Sequence, residues 1–141
     1  MRDAVETTAA HYLADWGSGE WAHAFHRLIE LGPTALPYLQ ARFEQSSDAA
    51  LRAELVEIAY QQRTAEALPL LAKALKDPSA RVWKTALDGL VSLASDEAVQ
   101  LLEEALRLPL ARSDAEEYRA WVQEALDQAR QARSVAPPKV Q

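Results

Sequence analysis

Cysteine is absent from this 141-residue chain, which removes disulfides, a thiolate zinc site and a cysteine nucleophile from consideration. A reducing cytoplasm fits that composition, and a cytoplasmic location is expected. Glycine is scarce as well, with four residues, and none sits in a phosphate-cradling loop or a Gly-x-Ser-x-Gly elbow. No Ser/His/Asp order is present either, so hydrolase and nucleotide chemistry have no starting residues. No stretch approaches the roughly 18 apolar residues of a membrane span. The N-terminus, Met1-Arg-Asp-Ala-Val-Glu-Thr-Thr8, carries acids where a secretory signal needs a positive region followed by an apolar run. A basic excess is missing too: the formal net charge is −6, distributed as −3 over 1–32, −1 over 33–64, +1 over 65–95 and −3 over 96–141. Without a basic stripe, counterion release from phosphates cannot drive binding, so nucleic acid is an unfavoured partner. Acidic balance favours solubility and a basic protein partner.

What the chain does have is a repeat. Ala35-Leu-Pro-Tyr-Leu39, Ala67-Leu-Pro-Leu-Leu71 and Ala98-Val-Gln-Leu-Leu102 begin alike and lie 32 and then 31 residues apart. Ala, Leu, Glu, Gln and Arg dominate, Val and Ile are few, and no segment alternates with period 2, so the repeating unit is helical. A helical period of this length means an α-solenoid, in which each hairpin hides its apolar face only by stacking on its neighbours. The expected fold is all-α, a right-handed α–α superhelix of about four hairpins at 4–31, 34–62, 65–94 and 97–132. A single domain over 1–133 and a flexible tail over 134–141 complete the expectation.

Breaks in the pattern set the boundaries. Gly17-Ser18-Gly19, Gly32-Pro33, Ser46-Ser47-Asp48, Asp77-Pro78-Ser79 and Ser95-Asp96 each stop one helix or cap the next. Leu108-Pro109-Leu110-Ala-Arg-Ser-Asp114 reads as a longer loop. Superposing the second helices tests the pairing: Trp21, Phe25, Leu28 and Ile29 align with Leu51, Leu55, Ile58 and Ala59, then with Trp83, Leu87, Leu90 and Val91, then with Tyr118, Val122, Ala125 and Leu126. The same apolar face occurs four times. Both terminal helices offer polar outer residues of the kind that cap a solenoid, which predicts a small complete array.

Residues 67–94, with Asp77-Pro78, Val82, Ala86 and Leu90, resemble a HEAT repeat of the short bacterial type. The resemblance implies the superhelical fold more directly than any activity. Trp83 stands where that family usually places an arginine that ladders with turn aspartates of neighbouring repeats. The departure predicts a weakened ladder, with packing rather than buried charge joining adjacent repeats.

Candidate functional residues follow from the geometry such a repeat implies, with the second helices lining the concave surface. Holding the apolar set fixed, one exposed column reads Ala22, Arg52, Lys84, Arg119, and the next reads His26, Val56, Asp88, Gln123. Three cations in one column predict a positive strip, and Arg52, Lys84, Arg119, His26, Asp88 and Gln123 are the expected partner-binding residues. Trp21 and Trp83 are expected in the core, and either Trp16 or Trp121 as an exposed interface anchor.

Competing chemistry has thinner support. Glu20-x-x-His23-x-x-His26 places three potential ligands on one helix face, half of a di-metal motif whose second copy is absent. HEAT-like hydroxylases carry several His-Glu pairs that this chain lacks, and nothing residue-specific transfers from HEAT-like phycobilin lyases. Nucleic-acid binding through Arg52, Lys84 and Arg119, as in HEAT-like DNA repair glycosylases, conflicts with the acidic sum. The expectation is therefore a non-catalytic scaffold with no cofactor and no metal: an adaptor, assembly chaperone or inhibitor. A bacterial immunity or antitoxin protein is one version. It would bind one protein partner and exist as a monomer or weak homodimer.

Overall fold

The computed structural model describes residues 3–107 and 112–135. Among them are eight α-helices and no strand: α1 Ala4–Leu13, α2 Trp21–Glu30, α3 Leu36–Gln45, α4 Ala49–Gln61, α5 Leu68–Ala74, α6 Ala80–Leu93, α7 Asp96–Arg107 and α8 Ala115–Val135. Residues 108–111 of the expected 108–114 loop, and 136–141 of the expected tail, lie outside the described residues. Helix α8 itself continues to Val135, past the expected start of that tail.

Local chemistry explains the boundaries. Asp48 accepts from the Ala50 and Leu51 amides at the start of α4, and the Ser95 hydroxyl accepts from Ala98 N–H at the start of α7. The recurring Ala-Leu-Pro marks a 3-10 turn running straight into an α-helix, at Gly32–Ala35 before α3 and Ala65–Ala67 before α5. Ala35 and Ala67 are fully buried at these junctions. Pro37 and Pro69 occupy first-turn positions, where no amide donor is missed. Two caps differ from the sequence reading. Ser18 accepts from Glu20 N–H, but α2 opens one residue later with no side-chain cap. Pro78 lies outside α6, whose entry is fixed by Asp77 accepting from Ser79 N–H at 2.9 Å.

The exits of α2, α4 and α6 share one device. Gly32, Arg63 and Ala94 all adopt positive φ, at +73°, +54° and +46°, the left-handed turn that releases a chain from a helix. They are spaced 31 residues apart. Arg63 and Ala94 give no sequence signal of it, because only glycine announces this conformation.

The second helices pack on one another in order, α2 on α4, α4 on α6 and α6 on α8, while the first helices touch each other only lightly. A double layer packed more closely on one side curves toward that side, so α2, α4, α6 and α8 form the inner face. The closest approach is at Gly89. A Cβ there would lie 2.9 Å from Tyr60 Cβ and Cδ2 and 3.0 Å from Leu71 Cδ2, so the missing side chain lets α4 and α6 meet. The core is one continuous cluster through all four hairpins. Trp83, at 0% exposure, is its largest fully buried side chain. Trp21, its expected equivalent, is only partly buried, because α2 is the first inner helix and has an inner neighbour on one side only.

Charge joins the repeats, which corrects the expected weak ladder. Arg52 of α4 donates to both oxygens of Asp77 in the next repeat, at 2.9 and 3.2 Å, and to the Ser46 carbonyl at 3.1 Å. Arg112 pairs with Asp114 and donates to the Asp77 carbonyl at 3.2 Å. At the first junction, Trp16 Nε1 donates to Asp48 at 3.0 Å. Each of these three turn aspartates therefore has a donor. Trp83 itself donates nothing to the Asp77 turn; Arg52 reaches it from the preceding repeat.

Candidate functional site

The expected positive strip divides when its residues are placed. Arg52 belongs to the scaffold: its side chain is 14% exposed and that of its partner Asp77 is 6% exposed. Lys84 sits on the inner face, 3.2 Å from the Glu117 carboxylate and 4.4 Å from the ring centroid of Trp121. Arg119 is exposed on α8. The column of His26, Val56, Asp88 and Gln123 divides too. Val56 is fully buried: with the helix exits 31 residues apart it is equivalent to the buried Leu87, and Glu57, one position on, is the equivalent of Asp88. His26 and Gln123 are exposed on the first and last inner helices, and Gln123 donates to Asp127 at 3.0 Å.

What the fold does bring together is a set spanning α4, α6 and α8. Leu87, Asp88, Val91, Trp121, Glu124, Ala125 and Gln128 line a cavity of about 200 Å³ between α6 and α8. A second, of about 340 Å³, opens between the ends of α4 and α6, bounded by Tyr60, Gln61, Arg63, Ser92 and Leu93. Trp121 is 43% exposed, the one exposed large hydrophobic side chain among the described residues. Trp16, the other candidate anchor, is half-buried and bonded to Asp48.

Electrostatically this inner face is acidic. Desolvation in the groove pushes the Glu57 carboxyl up, helped by Glu54 and Asp88. Asp88 is likewise raised by desolvation; its side chain reaches solvent, yet the groove walls displace enough water to disfavour its charge. Tyr60 is raised by burial and by the same two carboxylates. None of Glu54, Glu57 or Asp88 has an ion-pair partner among the described residues. Sequence reasoning missed Glu57, Glu117 and Glu124. The first was hidden by the one-residue shift at Val56, and the other two look like ordinary solvent charges without knowledge of what faces α8.

The histidine face takes a different form. His11 stacks edge-on with Tyr12 and Tyr12 with His23, at centroid separations of 5.1 and 6.2 Å, and His26 stacks edge-on with Phe25 at 5.7 Å. Glu20 caps α2 without a side-chain bond. Among the described residues, no group of three or more His, Asp or Glu side chains is placed to hold a metal ion. No helix there is long and apolar enough to cross a membrane.

A family profile for HEAT repeats matches residues 36–127, more than half of the chain. No curated protein matches the sequence. HEAT repeats generally mediate protein–protein interaction and are typically non-catalytic. The matched region begins at α3 and runs into α8, spanning the turn aspartates Asp48, Asp77 and Asp114 and the three inner helices that build the groove. With its four stacked hairpins, this chain belongs to the HEAT-repeat family.

Proposed function

We propose that this protein is a non-catalytic binding module that receives one protein partner on the inner face of α4, α6 and α8. The observation that carries the reading is the exposed Trp121 at the edge of the cavity between α6 and α8. Exposed aromatic side chains at the edge of a preformed groove are the usual anchors of protein interfaces. Lys84, Asp88, Arg119 and Gln123 belong to the contact surface, with His26 at its far end on α2, whereas Arg52 acts by holding the scaffold. Four hairpins offer enough inner surface for one standard interface of about 800 Å² per partner. An adaptor, an assembly chaperone and an inhibitor all use such a face. An inhibitor of the immunity or antitoxin kind, which blocks a toxin by occupying its surface, suits a small acidic array.

The test fills the groove with neutral bulk. Tagged wild type and Ser92→Trp/Gln128→Trp are compared for capture of a partner from the source cells. Hydrogen exchange is then measured on the isolated complex. Capture should fail in the filled variant, and protection should appear on α4, α6 and α8 while α3, α5 and α7 stay unchanged. Protection confined to the outer helices would refute the inner-face reading.

A further inference from the structure

We infer that the inner groove is built to receive arginine side chains from an extended basic segment of the partner. The inference rests on the inner-face reading and adds the chemistry of the occupant. Three features of the groove support it together. Its floor is apolar, with Leu87, Val91 and Ala125 beneath an acidic rim of Asp88 and Glu124. Its volume, about 200 Å³, lies below the roughly 300–1,000 Å³ of small-molecule pockets, so it suits a single side chain. Finally, the molecule already shows what a cation does there: the Lys84 ammonium lies over the Trp121 ring and against Glu117.

One turn further along α6, Asp88 has no such cation at the cavity it lines with Glu124, and neither has Glu57 on α4, whose carboxyl Asp88 helps to raise. Neighbouring carboxylates without a counter-ion are held at a cost to the folded state. A guanidinium beside Asp88 relieves that cost, meets the carboxylate through its planar fork and shares the cavity with Trp121 and Glu124. The aliphatic stem covers the apolar floor, as long basic side chains do. Lysine fits the charge but not the fork, and an acidic or neutral segment fits neither.

The test uses acetyl-hexaarginine amide and acetyl-hexalysine amide in about 0.15 M salt, where screening over about 8 Å suppresses diffuse attraction. Binding is followed through the Trp121 indole N–H resonance, identified by its loss in Trp121→Ala. Expected is a saturable shift with the arginine peptide, weaker binding of the lysine peptide, and about a tenfold loss of affinity in Glu57→Gln/Asp88→Asn. The charge-matched variant Glu97→Gln/Glu104→Gln on α7 should change affinity by no more than about twofold. Equal losses in the two variants, or an unmoved Trp121 resonance, would overturn the inference. Partner capture separates the two readings. If Ser92→Trp/Gln128→Trp abolishes capture and Glu57→Gln/Asp88→Asn does not, the inner face stands and the arginine occupant falls; if neither abolishes it, both fall.

Discussion

Replacing Asp77 by alanine should do more damage than any single change on the surface. The substitution removes two charge-assisted bonds from Arg52, at 2.9 and 3.2 Å, and the acceptor for Ser79 N–H. It leaves a guanidinium that is 14% exposed with the Ser46 carbonyl as its hydrogen-bond acceptor and the nearby Asp48 charge. Breaking a largely buried pair from one side costs about 3–4 kcal/mol. At an unfolding entropy of about 2 cal/mol/K per residue, a chain of 141 residues loses about 0.3 kcal/mol per degree, so Tm should fall by about 10–13 °C. Arg52→Met keeps the stem packing and leaves Asp77 bonded to Ser79, and should cost about 1–2 kcal/mol. The double variant should be less unstable than the sum of the singles, with a coupling of about 2 kcal/mol. Urea and thermal melts of the four proteins measure this cycle. Additive losses, or a Tm for Asp77→Ala within about 3 °C of wild type, would refute the claim that this pair ties the repeats together. The same geometry makes Arg52→Glu a poor probe of partner binding, since it sets a carboxylate against Asp77 and unfolds the junction first.

Ala94→Gly and Arg63→Gly should each stabilise by about 0.5 kcal/mol, because relief of left-handed strain exceeds the extra entropy of glycine in the unfolded chain; a loss in urea melts would show that the turns are not strained. Gly89→Ala should destabilise by about 1 kcal/mol despite alanine's helix preference, since its Cβ meets Tyr60 at 2.9 Å; a stabilised variant would mean that α4 and α6 can part freely. Stability should depend on pH in two opposed arms. Glu57 and Asp88 have raised carboxyls, so the native state binds their protons more readily, and stability rises as pH falls through those values, reaching its full gain below about 4. Asp48 is held low by Trp16 and Asp114 by Arg112, so their contribution is present above about 4 and is lost as pH falls through their lowered values. Melting curves should climb as pH falls from neutral toward about 4 and fall in stronger acid; Glu57→Gln/Asp88→Asn should abolish the climb and keep the fall, and an unchanged climb would exclude these two groups as its cause.

Period and face were legible from the chain because both are matters of apolar spacing. The sets aligned on Leu51, Trp83 and Tyr118 are buried, except that Val91 is only partly so. Where that reading failed, register and neighbours had decided the outcome. In α4 the superposition was one residue out of register: the helix exits are 31 residues apart, which pairs Val56 with the buried Leu87 and Glu57 with Asp88. By the same spacing Arg52 is equivalent to Trp83 and not to Lys84, and no single-chain pattern records its contact 25 residues away. The left-handed exits at Arg63 and Ala94 were invisible because the fold imposes them on residues with no preference for them.

The unequal packing of the two layers has a mechanical consequence. In a bent double layer, the stiff side fixes the line along which length is conserved. Here that line runs through α4, α6 and α8, with Gly89 locking two of them at contact distance. The outer helices are separated by open grooves, one between α1 and α3 lined by Ala10, Leu13 and Tyr38, and an exposed Lys73–Glu44 ion pair spans α3 and α5. Flexing therefore opens or shuts the outer gaps while the spacing of Glu57, Asp88 and Trp121 hardly changes. An array of this kind can change its arc without losing the register of the side chains on its inner face.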